Sequence, residues 1–344
     1  MITITVLLFM LLVFLAEIFL QQWWITVMYR KKIEQVTKFY GPSWHEKTKL
    51  GTPTMGGVVF IAVALFCVPV FMLLLWRGGL FLFFPGEDGV FGWWKSSAML
   101  KSFAAILSYP VLVGAVGFAD EWLKYRRHMS DGFTSMQKLA FQILVTMPWA
   151  ACMYFYIGYG EIGVMRSFVV FVAVVTFIGV GLQNAVNVTD GLDGLAAGCS
   201  FITFVALLPL TISGGEANSL AILYNITAIA LCLGFLWHNC NPASVFMGDV
   251  GAHFLAGLMF SLCICSGSVF YIVPVCFFFG VEICSVAIQI IAIRRFHRKV
   301  FKMSPIHHHF EMSGWKETQI VTRFWIIHLL GVIILCTAYI VFAY

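Results

Sequence analysis

Long runs of apolar residues recur along the whole chain and are separated by short polar stretches. Runs of about 18 or more apolar residues predict transmembrane helices, because a helix of that length crosses the hydrocarbon core of a bilayer. Ten such runs occupy most of the 344 residues. We therefore expect an all-α polytopic membrane protein with ten transmembrane helices, forming a single integral-membrane domain over residues 1–344. The predicted spans lie near 4–28, 55–76, 98–119, 139–157, 168–186, 195–213, 219–237, 252–267, 270–293 and 320–343.

Composition supports this fold class. Hydrophobic residues make up 61% of the chain and charged residues 11%, and the mean hydropathy is +0.92. Soluble domains are usually about 45–50% apolar, so a soluble protein is excluded. The first span is expected to remain in the protein, because its apolar run is too long for a signal peptide and no basic residue precedes it.

Lysine and arginine are distributed unevenly between the loops. Since basic loops stay on the cytoplasmic side of a membrane, the loops after spans 1, 3, 5, 7 and 9 are predicted to face the cytoplasm. Both termini and the stretch 77–97 are then predicted to face outside. The clustered basic residues are Arg30, Lys31, Lys32, Lys38, Lys47 and Lys49 after the first span, Lys124, Arg126, Arg127 and Lys138 after the third, and Arg294, Arg295, Arg298, Lys299, Lys302, Lys316 and Arg323 after the ninth.

Each of the five loops predicted to be cytoplasmic carries a distinctive polar sequence. Five unrelated loop features are one interpretation, and a single site assembled at the cytoplasmic membrane surface is the simpler one. The sequences are KLGTPTMGG at 49–57, FADEWLK at 118–124, NAVNVTDGLDGLAAG at 184–198, HNCNPASVFMGDVGAH at 238–253 and KMSPIHHHFE at 302–311.

The acidic residues of the second loop have two interpretations. Asp120 and Lys124 lie four residues apart, which by itself indicates a helical ion pair worth roughly 0.2–0.5 kcal/mol. Asp120 and Glu121, however, are adjacent carboxylates at the membrane end of a span, and such carboxylates repel each other unless a cation is near. The pair therefore favours a functional cluster.

The third loop combines signals of helix capping with signals of ligand binding. Thr189 or Asp190 is a candidate N-cap. Asp193 follows Asp190 by one turn, so the two carboxylates are expected to share one helix face with Asn187. Two carboxylates and an amide on one face suit a hard cation or a hydroxyl-rich ligand.

The last two loops add a carboxylate and three imidazoles. Asp249 lies in MGDVG, which fits either a tight turn or a carboxylate that backbone and ligand can approach closely. His307, His308 and His309 lack the spacing of a zinc site but suit hydrogen bonding to phosphate oxygens. Basic loops that only contact anionic lipid headgroups are the alternative. Together the five loops suit Mg²⁺ with a phosphorylated substrate.

Several of these stretches, in order along the chain, carry a resemblance to a known family. They resemble the pattern of the phospho-N-acetylmuramoyl-pentapeptide transferases, a bacterial family in the polyprenyl-phosphate N-acetylhexosamine-1-phosphate transferase superfamily. PIHHHFE is the most specific part, because related transferases share the acidic motifs but carry a different histidine motif. The stretches are TPTMGG, NAVNVTDGLDGLAAG, PASVFMGD, FKMSPIHHHFE and RFWII, so the resemblance covers nearly the whole chain.

The resemblance implies a reaction and a location. UDP-N-acetylmuramoyl-pentapeptide and undecaprenyl phosphate would give the first lipid intermediate of peptidoglycan synthesis and UMP, with Mg²⁺ required. The protein would be a multi-pass phosphoglycosyl transferase of the bacterial plasma (inner) membrane, with its active site facing the cytoplasm. Its partners would be these substrates and the lipid bilayer, with no nucleic acid and with a homodimer left open.

The resemblance also implies residue roles. Asp120 would be the base or nucleophile, followed by Lys124, and Asp249 would be the Mg²⁺ ligand. Glu121 departs from the family, which usually has Asp there. His307, His308 and His309 would contact the diphosphate or the sugar, and the nucleotide-side positions would be Lys49, Thr54, Asn187, Asp190, Asp193, Asn239 and Phe246, the last as a stacking surface for uracil.

Two other functions remain as alternatives. A sister transferase would use another UDP-N-acetylhexosamine, and the histidine motif argues against it. An ion-coupled transporter would carry its site near the bilayer midplane, where only Glu17 and Glu282 lie deep in apolar runs. Each of these two acids is expected to be a buried, hydrogen-bonded group.

Overall fold

The computed structural model describes residues 2–31, 33, 49, 51–77, 97–127, 132–157, 163–213 and 219–343. Within these ranges the regular elements are helices, and no β-strand occurs in them. The α-helices are α1 (Ile2–Lys31), α2 (Gly57–Arg77), α3 (Ser97–Arg127), α4 (Ser135–Ile157), α5 (Phe168–Thr189), α6 (Leu195–Ser213), α7 (Ser219–Asn239), α8 (Gly248–Cys265), α9 (Ile272–Val275), α10 (Phe277–Phe296), α11 (Ile306–Glu311) and α12 (Glu317–Ala343).

The long helices have the length and composition of membrane spans. In the described part of the chain, 9 helices are long and apolar enough to cross a bilayer, and α2 adds a shorter apolar stretch, Gly57–Leu73. These ten helices are α1–α8, α10 and α12, and each corresponds to one predicted span. The all-α polytopic fold is therefore confirmed.

The ninth predicted span was wrong as a single helix over 270–293. The chain instead forms a 3-10 turn, Val269–Tyr271, then the four-residue helix α9, and α10 begins only at Phe277. Pro274 lies in α9 and removes a backbone donor, whereas the apolar composition continues unbroken across the junction. Hydropathy therefore gives no sign of the interruption.

The buried centre of the bundle is α8. Nearly all its residues are buried, and it packs chiefly against α3, α5, α2 and α6. By contrast, α1 and α12 expose large apolar side chains such as Leu8, Phe19 and Ile334. Such surfaces suit contact with lipid.

Helices α3 and α8 extend beyond their predicted spans into segments that carry polar residues of the loops. Helix α3 continues to Arg127, so Asp120 and Lys124 remain helical, and α8 begins at Gly248, so Asp249 lies in its first turn. At Gly117 of α3, a Cβ atom would lie 2.4 Å from the carbonyl oxygen of Asp249. The glycine therefore permits the close approach that brings the two acidic segments together.

The orientation in the membrane remains a prediction, and it can be tested by cysteine labelling. The basic loop after α10 is expected inside, and most of the stretch 77–97 lies outside the described residues. In a cysteine-depleted background, Lys299→Cys should react with an impermeant maleimide only in inverted vesicles, and Trp93→Cys only in intact cells. Labelling of Lys299→Cys in intact cells would reverse the topology.

Candidate active site

Helices α3 and α8 bring two carboxylates onto one ammonium group. The Lys124 Nζ atom lies 2.7 Å from Asp120 Oδ2 and 2.9 Å from Asp249 Oδ2. The simple i,i+4 ion pair between Asp120 and Lys124 is therefore present, but it is one part of a larger cluster. The Phe133 amide donates to Asp120 Oδ1 at 2.6 Å, which fixes the orientation of the carboxylate.

A second lysine, Lys138 at the start of α4, completes this cluster. Its Nζ atom lies 3.0 Å from Asp249 Oδ2 and donates to Asn187 Oδ1 at 3.3 Å. The Asn187 amide in turn donates to Asp249 Oδ1 at 2.6 Å. Asp249 is thus held by two ammonium groups and one amide. We call the group of Asp120, Lys124, Lys138, Asn187 and Asp249 the carboxylate cluster.

Glu121 has hydrogen-bond partners different from those of Asp120, as expected for a helical neighbour whose side chain diverges. Thr54 donates its hydroxyl to Glu121 Oε1 at 2.7 Å, and the Val250 amide donates to Oε2 at 3.4 Å. Gly248 has φ +69°, and a Cβ atom there would lie 2.2 Å from Glu121 Oε1. Glu121 therefore holds the 53–57 segment against the start of α8.

The segment after α5 differs from the prediction. Thr189 is the last helical residue, with its hydroxyl bonded to Ala185 O, and Asp190 is the C-cap, whose amide donates to Val186 O. Residues 190–194 form a turn that ends with Gly194 at φ +80°. The expected N-cap and the expected shared helix face of Asp190 and Asp193 were therefore wrong, because the helix ends at Thr189 and both aspartates lie in the turn.

Lys49, Asp193 and Glu317 form a second charged group, which we call the Lys49 cluster. Lys49 Nζ lies 2.8 Å from Asp193 Oδ1 and 2.7 Å from Glu317 Oε1. Burial works to lower the pKa of Lys49, but the Glu317 and Asp193 carboxylates outweigh it and raise that pKa above its usual value. Asp193 Oδ2 accepts from Asn241 Nδ2 and the Ala243 amide, each at 3.0 Å.

Asn239 and Phe246 lie beside the Lys49 cluster. The Asn239 side chain accepts from the Gly194 amide at 3.0 Å and donates to Val245 O at 2.8 Å, so both ends of its amide hold loops. The Lys49 Nζ atom lies 5.8 Å from the centroid of the Phe246 ring. The Phe246 amide also donates to Pro53 O at 2.9 Å, which ties the first loop to the fourth.

The three histidines lie on α11 and have different surroundings. His307 is fully buried, with Nδ1 3.1 Å from Glu282 Oε1 and Nε2 beside Gly191. His308 Nδ1 pairs with Glu311 Oε2 at 2.5 Å, and its side chain keeps 12% exposure. His309 Nδ1 accepts from the Lys302 amide at 3.1 Å. Glu282 is thus buried beside His307, as expected, but neither of its carboxylate oxygens has a hydrogen-bond partner in the described part of the chain, so the expected hydrogen bond was wrong.

All five loops meet at one end of the bundle. Lys49 donates to Gly191 O at 3.3 Å, and a Cβ atom on Gly191 would lie 2.4 Å from His307 Nε2. Asn187, in the carboxylate cluster, precedes this turn on the same segment. The expectation of one assembled site is therefore supported by contacts among the predicted residues.

Four polar residues at this site were not singled out from the sequence. The sequence marks Lys138 only as a basic loop residue, and Glu317 follows Lys316 at the head of the last span without belonging to a motif. Asp249 lies 111 residues after Lys138 and Lys49 lies 268 residues before Glu317, so no local motif marks either one. Asn241 and Glu311 lie within the polar stretches at 238–253 and 302–311. Their capacity to form hydrogen bonds is the property by which the sequence could have marked them.

The carboxylate cluster fits a Mg²⁺ ion by its chemistry. The described ranges contain no group of three or more His, Cys, Asp or Glu side chains arranged around a metal position. Magnesium commonly needs only one or two carboxylates, with waters and substrate phosphates as its remaining ligands. Here Asp120 and Asp249 converge on one ammonium group, so the carboxylates are already placed to share a cation.

Comparison with known proteins identifies the family of the chain. A family model described as Glycosyl transferase family 4 matches residues 103–267, and the phospho-N-acetylmuramoyl-pentapeptide-transferase signature 1 matches residues 49–61. A phospho-N-acetylmuramoyl-pentapeptide-transferase of Latilactobacillus sakei is 35% identical over 303 residues, covering 86% of this chain and 87% of the relative. The chain belongs to the phospho-N-acetylmuramoyl-pentapeptide-transferase family. Relatives of the same name in Lacticaseibacillus paracasei and Shouchella clausii are 35% and 33% identical, covering 88% and 94% of this chain.

The residues matched by the family signature lie at the candidate site. The matched residues 49–61 include Lys49 and Thr54. Lys49 is the central cation of the Lys49 cluster, and Thr54 donates a hydrogen bond to Glu121. The Glycosyl transferase family 4 match spans Asp120, Asn187 and Asp249. The two matched regions thus meet in space at one site.

Proposed function

We propose that the protein transfers phospho-N-acetylmuramoyl-pentapeptide from its UDP derivative to undecaprenyl phosphate and releases UMP. The observation that carries the proposal is the convergence of Asp120, Lys124 and Asp249 beside the Lys49 cluster, at one end of a membrane bundle. A site at a helix end can receive a water-soluble nucleotide from one side and a lipid phosphate from the bilayer. We place this end at the cytoplasmic face of the bacterial plasma membrane.

The bond changes follow from the two substrates. An oxygen of the lipid phosphate forms a bond to the phosphorus that carries the sugar, and the bond from that phosphorus to the UMP oxygen breaks. Asp120 accepts the proton of the lipid phosphate, so that the attacking oxygen is anionic. If Asp120 instead attacks that phosphorus first, UMP leaves in this first step. The Asp120 carboxylate then leaves when the lipid phosphate attacks the same phosphorus in a second step.

Charge neutralisation is assigned to the lysines and to the metal position. Lys124 and Lys138 are placed to bind phosphate oxygens and to offset the charge that develops on the departing UMP. Asp249 would hold Mg²⁺, and Asp120 is near enough to contribute. When bound, the ion supplies Lewis-acid stabilisation of the phosphate oxygens. The protein's own part is to hold the reacting groups in position.

The remaining residues are assigned to the two ends of the donor substrate. Phe246 would stack against uracil, and the Lys49 cluster with Asn239 and Asp190 would shape the nucleotide side. The histidine helix α11 would contact the diphosphate or the sugar. Among the histidines, His308 is the one we assign to direct contact, because His307 is enclosed by Glu282 and Gly191.

A substrate-exchange assay tests the proposal against the sister transferase. Purified protein with undecaprenyl phosphate should convert UDP-N-acetylmuramoyl-pentapeptide, and not UDP-N-acetylglucosamine, into a lipid-linked product that separates on thin-layer chromatography. Product from UDP-N-acetylglucosamine alone would assign the chain to the sister activity. Movement of a solute across vesicles without any lipid product would favour the transporter.

The histidines offer a prediction about unequal roles. His308→Ala should lower the turnover rate by roughly 10²-fold, as for loss of one charge-stabilising donor. His309→Ala should have a small effect, because the side chain accepts a backbone hydrogen bond on its own loop. His307→Ala should lower the melting temperature most, since it leaves the buried Glu282 without a partner. Equal and mild losses of rate at all three positions would contradict the assignment of His308.

A further inference from the structure

Glu317, the first residue of α12, joins two separate loops through one oxygen atom. Its Oε1 accepts from Lys49 Nζ at 2.7 Å and from the Asp193 amide at 2.7 Å. Lys49 comes from the first polar loop and Asp193 from the turn after α5. A single carboxylate therefore fixes their relative position, and it does so from a third segment that no motif had marked.

The protein's own acceptors use the full donor capacity of Lys49. An ammonium group has three hydrogens, and Lys49 Nζ lies near Asp193 Oδ1 at 2.8 Å, Glu317 Oε1 at 2.7 Å and Gly191 O at 3.3 Å. Two carboxylates also surround this one cation, so the Lys49 cluster repels anions rather than attracting them. In this arrangement Lys49 organises the loops, and a phosphate group gains little from binding there.

The position of the Lys49 cluster points to the uncharged part of a nucleotide. The cluster adjoins Phe246, because the centroid of the Phe246 ring lies 5.8 Å from Lys49 Nζ. The phosphate-binding lysines Lys124 and Lys138 instead belong to the carboxylate cluster around Asp249. A base and ribose offer a flat ring and hydroxyl groups, which suit an aromatic face beside fixed polar atoms.

We propose that Glu317 is a positioning residue that sets the shape of the pocket for the nucleoside part of the UDP-linked substrate. This inference rests on the proposed function. Glu317 acts through Lys49 and the 190–194 turn. Without it, Lys49 loses one acceptor and the Asp193 amide loses its partner. The side chains of Lys49 and Asp193 are only 11% and 6% exposed, so solvent cannot fully replace what is lost.

The test measures ligand binding without turnover. Uridine and UMP are titrated calorimetrically into purified wild-type protein, Glu317→Gln, Glu317→Ala and the exposed neighbour control Thr318→Ala. We expect Glu317→Ala to weaken both ligands by roughly tenfold or more, the scale of a lost hydrogen bond to a charged group. Glu317→Gln keeps an acceptor oxygen and should fall between Ala and wild type. Thr318→Ala should match wild type.

Steady-state kinetics separate positioning from chemistry and from general loss of structure. Glu317→Gln should raise KM for the UDP-linked substrate while kcat and KM for undecaprenyl phosphate stay close to wild type. If Glu317→Ala binds uridine and UMP as tightly as the wild type does, the inference about Glu317 is overturned, whereas the proposed function is not. A fall in kcat with unchanged KM would also overturn it. Absence of uridine and UMP binding in the wild type, with no UMP release, would overturn the proposed function as well.

Discussion

Asp249→Ala should reduce turnover by roughly 10³-fold or more, because it removes the proposed metal ligand and with it the charge stabilisation at the phosphates. The Asp249 carboxylate also keeps Lys124 and Lys138 together, at 2.9 and 3.0 Å from Oδ2. Alanine would leave these two ammonium groups close to each other and without their shared partner. The measurement is UMP release by the variant at saturating Mg²⁺.

Asp249→Asn provides the matched control for this variant. Asparagine preserves the shape and can still accept from Asn187, so the fold should survive, and melting temperature should confirm it. The amide cannot replace a carboxylate as a Mg²⁺ ligand of comparable strength, so turnover should remain very low. Near-wild-type turnover in either variant at saturating Mg²⁺ would remove Asp249 from the metal position.

Asp120→Asn is expected to lower turnover by roughly 10²-fold or more, because a shift of about 1 Å or loss of a reacting group costs at least that much. The asparagine side chain can still accept a hydrogen bond from the Phe133 amide, so the loop at 132–133 should stay in place. It cannot take up the proton of the lipid phosphate. Asp120→Glu should be badly impaired too, because the added methylene displaces the carboxylate from Lys124.

Glu121→Asp is the contrasting variant in the same helix turn. Glu121 accepts from Thr54 at 2.7 Å and lies against Gly248, so it supports the site without facing the carboxylate cluster's lysine. Shortening it should weaken the Thr54 contact and lower melting temperature, while turnover stays substantial. The variants are compared by UMP release at matched expression. Active Asp120→Asn together with inactive Glu121→Asp would reverse the two roles.

The helical architecture could be predicted because hydropathy directly reports which segments can lie in lipid. The convergence of the polar loops could be predicted too, since the distribution of lysine and arginine placed Asp120, Asp249 and His307 on one predicted side. The divergence of Asp120 and Glu121 followed from helix geometry alone. These inferences need only local sequence and the direction of each span.

The features of the site that could not be predicted from the sequence depend on contacts between distant segments. Lys138 and Glu317 reach partners on other helices, and a solitary charged residue at the end of a span looks the same in sequence whether or not it belongs to a site. The sequence predicts a helix across 190–194, because two aspartates three residues apart also fit one helix face. Positive φ at Gly194, which ends that turn, is a backbone property that glycine permits but does not dictate.

The most direct test of the central claim is UMP release by purified protein in a component-omission assay. UMP should form over many turnovers only when UDP-N-acetylmuramoyl-pentapeptide, undecaprenyl phosphate and Mg²⁺ are all present, and one lipid-linked product should then form for each UMP. Asp249→Asn, with an unchanged melting temperature, should release almost none. Repeated turnover of UMP that needs no lipid phosphate, or lipid product formation at the wild-type rate by Asp249→Asn, would contradict the account.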